Sequence, residues 1–160
     1  ENNMSDVETN VIDMEKKVTI ISIAPWSTGF PHYTTSGSTN IVANGTTRLK
    51  REEVIAQIQA NNRLFGLDDI GSHATLYIDD EETRKYLGFD EGNRKQNVIS
   101  EDKIKEWFVL KTFSTFKKKI EENVITRAEK QFLLKKIKDL KLNEYDKIKF
   151  CEEYCKFKLR

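Results

Sequence analysis

Several residue types that usually announce chemistry are scarce in this chain. Cysteine occurs twice in 160 residues, as Cys151 and Cys155, four apart in a strongly helical stretch. There the two share one face, and helix geometry does not favour a bridge between them. Zinc would need further ligands at matched spacing, and none lie nearby. The pair therefore reads as small apolar side chains, reduced, on a buried stripe. The two histidines, His32 and His73, have no partner at useful spacing. Ser72 precedes His73, but neighbours on a strand point to opposite faces and cannot act as nucleophile and base. Neither a Gly-x-Ser-x-Gly elbow nor a His-Glu-x-x-His helix is present. No apolar run approaches the ~18–20 residues of a membrane span, and the opening ENNMSDVETN lacks the basic-then-apolar pattern of a secretion signal. These absences lead us to expect a soluble, non-enzymatic protein made in a cytoplasm, with no cofactor, no metal and no membrane partner.

What the chain lacks in net charge it has in charge distribution. Formal net charge is +1, with charged residues at 33% and hydrophobic ones at 38%. Residues 1–99 carry 10 Lys/Arg against 15 Asp/Glu, whereas residues 100–160 carry 17 against 11. That asymmetry predicts two parts with different surfaces. At this length a core can be buried without staples.

Residues 1–15 are acidic and polar without periodicity, and read as a flexible arm, or one that orders only against a partner. KKVTIISI at 16–23 is β-branched and predicts a buried strand. Both prolines fall in 24–37, APWSTGFPHYTTSG, which reads as a long loop carrying Trp26, Phe30 and Tyr33. These aromatics either fold back over their own sheet or insert into a neighbouring subunit. STNIVANG predicts a second strand closed by Asn44-Gly45.

Gly45-Thr46-Thr47 with Arg48, Lys50 and Arg51 invites a phosphate-cradle reading. A phosphate loop needs a second glycine followed by Lys-Ser/Thr, and neither follows Gly45. The pattern fits a helix start instead, with Lys50 at the cap, a Leu49–Val54 staple and Glu53 at the third helical position. In HATLYIDDEETRKYLGFD, His73 to Ile78 predicts a strand, Asp79 a helix cap with Glu82 reaching back, and Gly88 the stop. Asp79, Asp80, Glu81 and Glu82 lack the spread of an EF-hand loop, so cap chemistry explains the cluster more simply than a cation.

Residues 91–99 read as a linker. Ser100 then caps a helix with an apolar band of Ile104, Trp107, Phe108, Phe116 and Ile120 up to about residue 121. Thr126-x-x-Glu129 opens a second helix with Leu133, Leu134, Ile137 and Leu140 inward. Asn143 caps a third, with Ile148, Cys151 and Cys155 on one stripe and Phe150, Tyr154 and Phe157 on another. The fold class predicted is α+β: a small β-rich domain over 16–90, then an antiparallel three-helix region over 100–160. The lysines of that region, Lys117 to Lys119, Lys135, Lys136, Lys138, Lys141, Lys147, Lys149, Lys156 and Lys158 with Arg160, read as an outward solvated face. The alternative is a nucleic-acid surface, which lysine serves as a point charge but reads base edges poorly.

The run KVTIISI…GTTRLKREEVIAQI…ATLYIDDEETRKYLGFD resembles small structural proteins of tailed bacteriophages. In these an early strand leads to a turn, a helix opening on paired glutamates, and an apolar strand running into an acidic helix. A helical C-terminal portion of variable length follows. The resemblance covers residues 17–90, and Lys50 stands where such proteins usually carry serine or threonine. It implies a virion component, decorating the capsid or joining head to tail, with no catalytic residues. Its partners would be other virion proteins and copies of itself, gripped through the arm, Trp26, Phe30 and Tyr33. Acidic Asp79, Asp80, Glu81 and Glu82 on one copy could meet a basic helix on another. A phage protein that binds a host factor is a further alternative.

Overall fold

The computed structural model describes the backbone of residues 11–159 and side chains as far as residue 156. Most of the acidic arm therefore lies outside the described residues. Strand β1 (Lys17–Ser22) is central in a three-stranded antiparallel sheet of order β4-β1-β5, between β4 (Thr46–Lys50) and β5 (Leu76–Asp79). Alternation places Val18, Ile20 and Ser22 on the buried face, as the period of two requires. The predicted strand at 16–23 is therefore present, and it is flanked on both sides.

The second strand expected from STNIVANG is present at Ser38–Ile41, but the loop expected over 24–37 contains a further strand. Thr28–Pro31 (β2) and Ser38–Ile41 (β3) form a separate two-stranded antiparallel ribbon. Pro31 argued against a strand, but a two-stranded ribbon leaves an outer edge where a missing N–H costs nothing. Val42 to Gly45 then turn, with Asn44 at a positive φ of 54°. The chain enters β4, a strand absent from the sequence reading because its only buried residue is Leu49.

Helix α1 (Arg51–Gln59) follows directly, then a short 3-10 turn (Arg63–Phe65), β5 and α2 (Glu81–Leu87). His73, expected to begin β5, instead has a positive φ of 60°. Asp80 rather than Asp79 caps α2, its carboxylate accepting from the Thr83 amide. Gly88 ends α2 in the left-handed conformation, as predicted.

The C-terminal region is helical: α3 (Glu101–Phe108), α4 (Phe113–Asn123), α5 (Arg127–Asp139) and α6 (Tyr145–Leu159). The molecule is thus α+β, strand-rich first and helical afterwards. The single helix expected over 100–121 is two. In a continuous helix Phe108 and Phe116 would stand about 12 Å apart along the axis. Their rings instead meet edge-to-face at 5.0 Å between centroids, which requires the chain to turn back between them. Ser100 caps α3, and Thr126 with Glu129 forms a complete capping box on α5.

Two apolar cores result. One unites Val18, Ile20, Phe30, Val54, Phe65 and Ile78 beneath the sheet. The other unites the four helices around Trp107, Phe116, Leu133 and Cys151, and it takes in Ile23 and Ala24 from the end of β1. The segment at 91–99 also joins the parts, burying Gln96 and Ile99.

Candidate interaction surfaces

The sequence-selected basic side chains part company in the structure. Arg48 is exposed, and Lys50 pairs with Glu15 at 2.8 Å on the surface. Arg51 is 0% exposed. Its Nε donates to Thr83 Oγ1 at 2.8 Å and its Nη1 to the Asp13 carbonyl at 2.9 Å. Its Nη2 donates to Asp80 and Glu82, each at 3.0 Å. One guanidinium therefore holds α1, the start of α2 and residue 13 together, a fork geometry that lysine could not supply.

The acidic run is consumed around this hub. Asp80 and Glu82 face Arg51, Glu81 faces Lys95 at 2.6 Å and Lys85 at 3.4 Å, and Asp79 is exposed. Glu82 does not reach back to a cap. Among the described residues no three His, Cys, Asp or Glu side chains gather as metal ligands would.

Glu53, expected at a capping position, does something else. Its carboxylate accepts from the amides of Tyr33 and Thr34 at 2.9 Å, from the Thr34 hydroxyl, and from Gln57 at 2.7 Å. Gln57 also donates to the Pro31 carbonyl at 2.7 Å. The β2–β3 ribbon is thereby latched onto α1. Phe30 is buried in the sheet core beside Phe65, at 5.8 Å between ring centroids. Trp26 packs on the helical core, with the Arg127 guanidinium 5.2 Å over its ring. Tyr33 alone of the three is exposed.

Burial works against ionisation of Glu53, but the donors from Thr34, Tyr33 and Gln57 outweigh it and hold the carboxyl at about 2. Asp80 is likewise held at about 2, burial being outweighed by Thr83 and Arg51. Both values lie below the ordinary ones of 4.5 and 3.8. Folding thus favours the ionised forms, so their contribution is complete above about pH 4.5 and is lost as pH falls towards 2. Each is worth about 2–3 kcal/mol. Urea unfolding between pH 7 and pH 2.5 should show stability falling steeply below pH 4.5, and Glu53→Gln should flatten part of that fall.

His73, read as partnerless, has one. Its Nδ1 lies 3.1 Å from both oxygens of buried Glu129. The same carboxylate accepts from the amides of Ile125 and Thr126 at 2.9 and 3.0 Å. The capping box of α5 is therefore also a clamp between the two parts. A separation of 56 residues hides such a pairing from any local pattern.

No family model matches the chain, and no curated protein or solved structure is significantly similar to it.

The helical region corrects one further expectation. Lys147, counted among the outward lysines, is buried. Its ammonium donates to the carbonyls of Phe108 at 2.5 Å and Leu110 at 2.9 Å, completing the end of α3, and pairs with Glu144 at 3.1 Å. The turn it braces exposes large apolar side chains. Val109 is 77% exposed, Tyr145 72% and Phe113 42%, around a cavity of about 600 Å³ bordered by Lys111 and Asp146. Nothing in the sequence marked this patch, since Val109 sits inside an apolar band that reads as continuous helix. A second cavity, about 560 Å³, opens between the sheet and α5, lined by Ile21, Tyr77, Val98 and Phe132, with Lys103 and Lys136 beside it.

Cys151 and Cys155 lie in the helical core as the stripe predicted. Burial pushes the Cys155 thiol up to about 11 and the Cys151 thiol higher still. Because the thiolate is the nucleophile, native protein at pH 8 should react with a thiol reagent at least ~100-fold more slowly than urea-unfolded protein. Equal rates would show that the α5–α6 contact opens freely.

Proposed function

We propose that this chain is a non-enzymatic assembly protein of a tailed-bacteriophage virion, capsid-associated or part of the head–tail connection, acting through protein–protein contacts. The observation that carries the reading is a division of labour among the side chains. Arg51, Glu53, Asp80, Glu129 and Lys147 are all turned inward as latches between segments. The large apolar side chains Val109, Phe113 and Tyr145 are turned outward together. A cluster of exposed apolar residues of this kind marks a contact surface. The resemblance of residues 17–90 to virion structural proteins points the same way. The nucleic-acid alternative loses part of its basic surface, because Lys135 and Lys136 are engaged by Asp139 and Glu101 and Lys147 is buried.

The test is quantitative mass spectrometry of purified particles from an infection by the phage that encodes the chain. The protein should be present in fixed, multiple copies per particle. Its absence from washed particles contradicts the proposal, and a steep salt-dependent affinity for duplex DNA in the isolated protein would favour the alternative.

A further inference from the structure

The groove between α5 and α6 is the surface whose chemistry is matched elsewhere in the same chain. It has a volume of about 430 Å³ and a floor that includes the half-buried Leu134, Leu142 and Ile148. Lys138, Lys141 and Lys156 stand along it, against a single carboxylate, Glu152. Neighbouring lysines are engaged, Lys135 by Asp139 at 2.9 Å and Lys136 by Glu101 at 3.5 Å. Among the described residues, Lys138, Lys141 and Lys156 have no such ion-pair partner. An apolar floor between free cations fits an acidic segment with apolar anchors.

Residues 1–11 have that composition. They contain Glu1, Asp6 and Glu8 with no basic residue, and the apolar Met4, Val7 and Val11. The three apolar positions are too few to register as a periodic pattern across the arm, but they supply apolar side chains among the carboxylates. Val11, where the described chain begins, is 68% exposed. Residues 13 and 14 are fixed on α1, through the Asp13 carbonyl to Arg51 and the Met14 carbonyl to the Glu52 amide. The segment before them therefore leaves from an anchored point.

We propose that residues 1–11 of one copy dock in the α5–α6 groove of a neighbouring copy. The apolar side chains of this segment contact the floor, and its carboxylates meet the lysines of the groove. The inference deepens the assembly reading by naming a second copy as one partner, and its test needs no virions, so either can fail alone.

Charge reversal separates exchange between copies from docking within one. D6K/E8K makes the segment basic, and K138E/K141E makes the groove acidic. Sedimentation of the full chain at rising concentration and low salt should show self-association. Each variant alone should associate at least ~10-fold more weakly, because like charges now face each other. An equimolar mixture of the two should recover wild-type association, since each segment then meets a groove of opposite sign. Exposed substitutions of this kind leave unfolding within about 0.5 kcal/mol, which thermal melts verify. The proposal is overturned if wild type remains monomeric, if either variant associates as tightly as wild type, or if the mixture does not recover. Recovery only in the single chain carrying all four substitutions would place the segment in its own groove and also contradict it.

Discussion

Arg51→Ala is expected to destabilise the protein by about 3–5 kcal/mol, read from urea unfolding at pH 7. The guanidinium is fully enclosed and bonds to Thr83, Asp13, Asp80 and Glu82. Truncation leaves the mostly buried Asp80 carboxylate with only the half-exposed Lys16 ammonium, 3.4 Å away, as a cation, and the loss of its closer, buried partner accounts for most of the cost. It also frees residue 13 from α1. Glu82→Gln should cost less than 1 kcal/mol, because the Glu82 side chain is more than half exposed and its pairing is screened. Arg51→Lys should fall between, since an ammonium cannot reach all four acceptors. A loss under 1 kcal/mol for Arg51→Ala would show that the hub does not hold α1, α2 and residue 13 together.

Phe116→Ala is the second large effect, again about 3–5 kcal/mol. The ring is fully buried at the junction of α3, α4 and α6, in contact with the rings of Phe108, Phe113 and Phe150. The Lys147 ammonium sits 5.4 Å over its face. Removing the ring leaves a cavity and takes the cation–π partner from a buried lysine. For a domain of this size the thermal midpoint should fall by roughly 8–15 °C. Phe116→Leu, which refills most of the volume, should recover more than half. Equal losses for the two would mean that the edge-to-face geometry, not the packed volume, is what matters.

Features set by a few neighbouring residues were legible in the sequence. Ser100, the Thr126–Glu129 box and Gly88 depend only on positions within one helical turn, and each acts where its spacing placed it. The apolar stripe through Cys151 and Cys155 was readable for the same reason. What escaped was set at long range. β4 carries no apolar alternation and is a strand because β1 pairs with it, Val18 opposite Leu49. β2 ends on a proline, which an edge strand tolerates. The break at Val109 follows from the need to bring Phe108 onto Phe116.

The interaction residues divide in the same manner. Arg51 looked like a surface cation because three basic residues cluster at 48–51, and only the tertiary approach of α2 encloses it. Glu53 has the spacing of a capping residue, but the ribbon arriving from residues 33 and 34 claims its carboxylate. His73 and Glu129 meet across 56 residues. The Thr126–Glu129 capping box was legible from its spacing, and Glu129 fills it while also meeting His73.

The most direct test of a contact-making role is incorporation of V109D/Y145S into particles. Both side chains are exposed and outside the core, so urea unfolding should match wild type within about 0.5 kcal/mol. Complementing a phage that lacks the gene with this variant should give particles depleted of the protein at least ~10-fold. Particles carrying the folded variant at wild-type copy number would contradict the account.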